Sequence, residues 1–147
     1  MSEHRAKLIW DNDGSDFLAK QYTRNHRIEF PNGQAYAASA AVEYGGDAQC
    51  VDPEAAFTAS LSSCHMLTFL ALAAMKNFVV VRYEDEAVGT LGKNEQGRLA
   101  MTHVLLSPRI QFSGAVPDEA TLKTLHERAH RACFIANSVS TKIEVAQ

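Results

Sequence analysis

Cysteine is scarce: the chain has three in 147 residues, at positions 50, 64 and 133. Three cysteines in a reducing compartment do not make a disulfide framework, so they are core residues, metal ligands or redox groups. Positive charge is not in excess either. Fourteen Lys and Arg stand against seventeen Asp and Glu, for a net charge of −3, and no basic stripe invites nucleic acid. The opening MSEHRAKLIWDND lacks the apolar core of a secretory signal. The Leu61–Met75 run is too short and too interrupted by serine to span a bilayer. These absences favour a cytoplasmic protein without a membrane partner. There is no internal repeat, low-complexity tract or linker, and the length fits a single domain over residues 1–147.

The segment Asp52–Lys76 lacks something different. From Ala55 to Met75 it has no Gly, no Pro and almost no charge. Asp52-Pro53-Glu54 supplies an N-cap and a proline at the first helical position, where a missing N–H costs nothing. Apolar residues fall on nearly every side of the helical wheel, the pattern of a helix buried on all faces. Strand-like segments surround it. Arg5–Trp10 and Phe17–Phe30, the latter carrying one strand or two, precede the Pro31-Asn32-Gly33 turn, and Gln34–Ala41 returns. Phe78–Leu91 and Arg98–Phe112 flank a polar loop, Pro117 opens a second helix running to about Cys133, and Val139–Val145 closes the chain. The order βββ-α-ββ-α-β is α+β, an antiparallel meander around a long central helix. One sheet and one short helix cannot easily cover such a helix on all sides. A second copy of the chain could.

Cys64 lies in the middle of the long helix, eleven positions past Pro53, too far for the helix dipole to activate it. Lys and Arg are absent from Pro53 to Met75, so a cation that stabilises its thiolate must come from elsewhere; Arg24 and Arg27 are the candidates. Against this stands the ordinary reading of a buried cysteine as a small core hydrophobe. His126, His130 and Cys133 follow at i, i+4 and i+7, on one helix face. They read either as a polar solvent face or, with Cys64 or His65, as a tetrahedral metal site. Cys50 has no assigned role. Glu54 fits a helix first turn for dipole reasons alone. It precedes Cys64 by ten residues, about 15 Å along one helix axis. If both serve one site, Glu54 comes from a partner subunit.

Asp52-Pro53-Glu54 ahead of Cys64, together with His126-Glu127-Arg128-Ala129-His130-Arg131-Ala132-Cys133 and Ala136-Asn137-Ser138, resembles the OsmC/Ohr family, the osmotically inducible protein C and organic hydroperoxide resistance proteins. The likeness runs from about Arg24 to Val145. It departs at His65-Met66, where many members carry an apolar aromatic, and at Phe134, where proline is common. The resemblance implies an intertwined homodimer of α+β subunits and a thiol-dependent peroxidase acting on organic hydroperoxides. By that likeness Cys64 is the peroxidatic cysteine and Cys133 the resolving one, joined as a disulfide in the cycle. Glu54 is the acid that holds an active-site arginine, Arg24, with Arg27 as the other choice. A dithiol or lipoyl-type reductant is implied, and no cofactor. The apolar neighbours Leu61, Met66, Leu67 and Phe69 are expected to favour a greasy hydroperoxide. The competing reading is a non-catalytic metal- or small-molecule-binding dimer, or a scaffold whose cysteines are only core.

Overall fold

The computed structural model describes all residues, Met1–Gln147, and its internal contacts divide into two compact units, Met1–Ala56 and Phe57–Gln147. The first unit is built on three short antiparallel strands, β1 (Lys7–Ile9), β2 (His26–Glu29) and β3 (Ala35–Ala38), in the order β1-β2-β3. Leu8 faces Ile28 and Ile28 faces Tyr36 across the two ladders. Gly33 closes the hairpin at φ +88°, a conformation glycine adopts without a Cβ clash. Ala38 is bridged to Val51, so the loop returns beside the sheet before the long helix begins.

Helix α1 spans Pro53–Met75. The expected start holds: the Asp52 carboxylate accepts the Ala55 N–H at 2.8 Å. Its end is a Schellman turn. Asn77 takes φ +62°, and the Phe78 N–H returns to the Ala73 carbonyl at 3.0 Å. Burial on all faces is not observed. Thr58, Leu61, His65, Phe69 and Ala73 form one buried stripe at helical spacing, while Leu67 is 61% exposed. The even wheel therefore conceals a one-sided helix, whose other apolar face this chain leaves open. Counted from Pro53, α1 is also long and apolar enough to cross a bilayer.

The second unit carries β4 (Val79–Asp85), β5 (Val88–Lys93), β6 (Leu99–Leu106), β7 (Pro108–Ser113), helix α2 (Glu119–Ala132) and β8 (Lys142–Val145). Four strands lie between the helices where two were expected, because each long strand breaks once. The breaks fall at Glu86-Ala87 and at Ser107, opposite each other in the register that pairs Asp85 with Pro108. Pro108 has no N–H for the ladder and restricts the residue before it. The Asp85 carboxylate accepts the Ser107 N–H at 2.6 Å and the Ser62 hydroxyl from α1. One arm, β4 and β7, thus forms its own sheet, and the other joins β8 in the order β5-β6-β8, with β6 and β8 parallel. Asp118, not Pro117, caps α2, accepting the Thr121 N–H at 2.7 Å.

Two apolar clusters hold this unit. Phe69, Ala73, Leu125 and Ala129 join α1 to α2 under Tyr83, Ile110 and Phe112. Leu61, Val104 and Leu106 join α1 to the other sheet under Phe57, Ile143 and Val145. Each large side chain fully withdrawn from water contributes on the order of 1.5–3 kcal/mol.

Candidate active site

Within the second unit the fold brings Cys64 and Cys133 together, although 69 positions separate them in the chain. Cys64 projects from mid-α1 and is partly exposed. Cys133 is the C-cap of α2, in extended backbone, and is 1% exposed. The Cys64 thiol is near enough to Cys133 to raise it, and neither cysteine is in a disulfide. The Ala136 N–H points at the Cys133 sulfur at 3.4 Å. Burial holds the Cys133 thiol above the ordinary range and the neighbouring Cys64 adds to it, while the Ala136 amide pulls the other way. A thiol held protonated beside a more accessible one is an unequal pair.

Behind the thiols lies a histidine seam that the sequence did not reveal. His65, one residue on from Cys64, turns about 100° around the helix and is 1% exposed. Its Nε2 lies 3.0 Å from His126 Nδ1, with the rings nearly parallel at 5.3 Å. Phe69 stacks on His126 at 4.5 Å. Burial, then the nearby His126 and His130, push His65 down to about 4; Asp85 opposes this. Burial also lowers His126. One imidazole donates and the other accepts, so the bond suits two neutral rings. The solvent-facing reading of His126 therefore fails: it belongs to the core. His65 and His126 spend these nitrogens on each other, and no group of three His, Cys, Asp or Glu side chains is gathered for an ion. Leu61 and Phe69, expected beside the substrate, are core residues on the His65 side of α1.

Arg24 and Glu54 belong to the first unit. Arg24 is half-buried, and its guanidinium donates to the Tyr22 carbonyl at 2.7 Å and the Lys20 carbonyl at 3.1 Å, lying 4.4 Å over the Tyr22 ring. No carboxylate forms an ion pair with it. Arg27 differs in each respect: it is exposed on β2 and lies 3.6 Å from Glu29. Glu54 stands in the first turn of α1, half-buried. Cys50 sits in the turn after Asp47, and partial desolvation followed by the Asp47 charge raises its thiol, which makes it a poor nucleophile.

Residues 45–146 match the OsmC-like protein family. An OsmC-like protein of unknown function from Vibrio cholerae is 44% identical over 99% of both chains, with a TM-score of 0.96. Organic hydroperoxide resistance proteins share the fold at lower identity. One from Elizabethkingia anophelis matches at TM-score 0.71 and 20% identity, over 100% of this chain and 97% of its own. A putative one from Vibrio cholerae, with captopril in one of its active sites, matches at 0.70 and 21%, over 99% and 93%. A comparison with curated proteins finds no match. The family match over most of the length and the near-identical fold of the Vibrio cholerae relative agree with the cysteine motifs from which the likeness was first read: the chain belongs to the OsmC/Ohr family.

Proposed function

We propose that the protein is a cysteine-based peroxidase that reduces organic hydroperoxides to alcohols. The observation that carries this is the meeting of Cys64 and Cys133, one partly exposed and one buried, across the α1–α2 seam. The Cys64 thiolate attacks the distal peroxide oxygen, the O–O bond breaks, and the alkoxide leaves and takes a proton to become the alcohol. Cys64 is then a sulfenic acid. The Cys133 sulfur displaces its hydroxyl as water, forming the Cys64–Cys133 disulfide. A dithiol reductant, lipoyl-type or other, exchanges with that disulfide, is itself oxidised to a disulfide, and restores both thiols.

Arg24 is the cation assigned to the Cys64 thiolate, with Glu54 orienting it by charge-assisted hydrogen bonds. What supports Arg24 over Arg27 is its partial burial and its lack of an ion pair. Glu54 and Cys64 lie ten residues apart on one unbroken helix, so the working site draws Glu54 from a second copy. The open apolar face of α1 supports the same homodimer.

One equivalent of cumene hydroperoxide added to reduced protein should remove two hydrogens, mapped by mass spectrometry to a Cys64–Cys133 link. Cys64→Ser should abolish peroxide consumption. Full activity in that variant would end the scheme.

A further inference from the structure

The first unit holds an open cleft of about 570 Å³ that none of the steps above uses. Its wall is aromatic. Trp10 follows β1, and Phe17 and Tyr22 flank the turn where Lys20 takes φ +61°. Phe17 stacks on Tyr22 with centroids 4.8 Å apart, and Trp10 meets both rings edge-on at 6.2 Å. The Trp10 N–H is already given to the Thr23 carbonyl at 2.9 Å, so Trp10 offers the cleft only its ring. Phe17 is 49% exposed despite its two ring contacts. Arg24 lines the same cleft, with two of its five N–H donors directed to carbonyls and no ion pair. No acidic residue lines it. All three rings lie outside residues 45–146, the part that matches the family. The aromatic wall of the cleft is thus built from the N-terminal segment, while Pro53 closes it from the matched part.

We propose that this cleft is the subsite for the organic group of the peroxide and that it selects aryl-alkyl hydroperoxides over straight-chain ones. This rests on the peroxidase reading, in which Arg24 serves the reacting thiolate. The volume is of the size that holds a small ligand, for which about 300–1,000 Å³ is usual. A flat ring gains edge-to-face and offset contacts with the three rings, each about 2- to 12-fold in affinity beyond the area buried. An alkyl chain gains the area alone. Arg24 is the one guanidinium lining the cleft, so the peroxide oxygens orient toward it while the ring packs on Trp10 and Phe17.

Trp10 is the sole tryptophan, so its emission reports the cleft directly. The full-length reduced protein is titrated with 2-phenylpropan-2-ol, which cannot be reduced, and with nonan-1-ol, which has the same number of carbons. The aryl alcohol should change Trp10 emission saturably, with affinity at least about fivefold above the linear alcohol. Phe17→Ala should weaken it about tenfold. Phe17→Leu, which keeps apolar bulk without a ring face, serves if the alanine variant fails to fold. The preference in kcat/KM for cumene over nonyl hydroperoxide should fall in the same variants. Equal affinities, no saturable change, or emission that follows protein concentration instead of ligand would overturn the subsite, the last by showing that a second copy fills the cleft. Aryl binding in a protein that consumes no hydroperoxide would overturn the peroxidase reading. Hydroperoxide turnover with a preference untouched by Phe17→Leu would overturn the subsite alone.

Discussion

Mild acid should loosen the seam between α1 and α2, with His65 the largest contributor. The unfolded chain takes up a proton at His65 near pH 6.5, whereas in the fold burial and the neighbouring histidines delay uptake to about 4. Between those values the unfolded state binds more protons, so stability rises with pH. The contribution is fully present above pH 6.5 and drains away as pH falls toward 4. At about 1.36 kcal/mol per pH unit, the span from 6.5 to about 4 amounts to about 3 kcal/mol, and most of it is lost by pH 4.5. His126, also lowered by burial, adds to the effect with the same sign.

The assay is urea unfolding from pH 7.5 to 4.5 at fixed protein concentration, comparing the natural chain with His65→Leu. Leucine keeps the volume and removes the titration. It also leaves His126 Nδ1 without its partner, so the variant starts about 1–3 kcal/mol lower at pH 7.5. That offset is not the diagnostic; the change in the gap is. From pH 7.5 to 4.5 the gap should close by about 2–3 kcal/mol, because only the natural chain loses the His65 contribution. Two parallel curves would refute the reasoning, since they would mean that His65 takes up its proton equally in both states.

Two further outcomes concern the thiols and the glycine turns. In the reduced native protein iodoacetamide should modify Cys64 at least about tenfold faster than Cys133, which is buried and held protonated, and the rates should converge in 6 M guanidinium; equal rates in the fold would contradict the seating of Cys133. A Cβ on Gly46 would fall 1.5 Å from the Ala40 carbonyl oxygen, while one on Gly14 would meet open space. Gly46→Ala should therefore cost more than about 3 kcal/mol or block folding, against about 1 kcal/mol for Gly14→Ala, where only the positive φ is strained; thermal melts of both variants check the contrast.

How much of this was legible depended on whether the signal was local. The Asp52 cap, the Asn77 stop and the Gly33 turn are chemistry within a few residues, and they stand where the sequence put them. The α+β order was legible for the same reason. The breaks at Glu86-Ala87 and Ser107 were not, because what replaces the ladder there is a side chain, Asp85, reaching a backbone 22 positions away. The helical wheel of α1 is too even to say which of its faces this chain covers itself. Periodicity reports which residues tolerate burial, and in α1 nearly all do. The buried stripe is decided by what α2 and the sheets press against it, and that is not written in α1. The aromatic cleft had no sequence signal at all, since Trp10, Phe17 and Tyr22 become neighbours only through an irregular turn.

Cys64 and His65 show how one helix serves two demands. Successive residues in a helix diverge by about 100°, so when Cys64 points toward the Cys133 sulfur, His65 must point elsewhere. It points into the core, where an apolar side chain would ordinarily be the cheaper choice. His126 makes the polar choice tenable by taking its Nε2, and Phe69 covers the pair. That contact lies on the same two helices that set the separation of the thiols, with Cys133 seven residues past His126, two turns further along α2. A hydrogen bond fixes the azimuth and height of one helix against the other in a way that apolar packing, which tolerates sliding, does not. The departure at His65 is therefore best understood as a positional constraint on the α1–α2 pair: the residue beside the reactive cysteine holds in register the helix that delivers the second one.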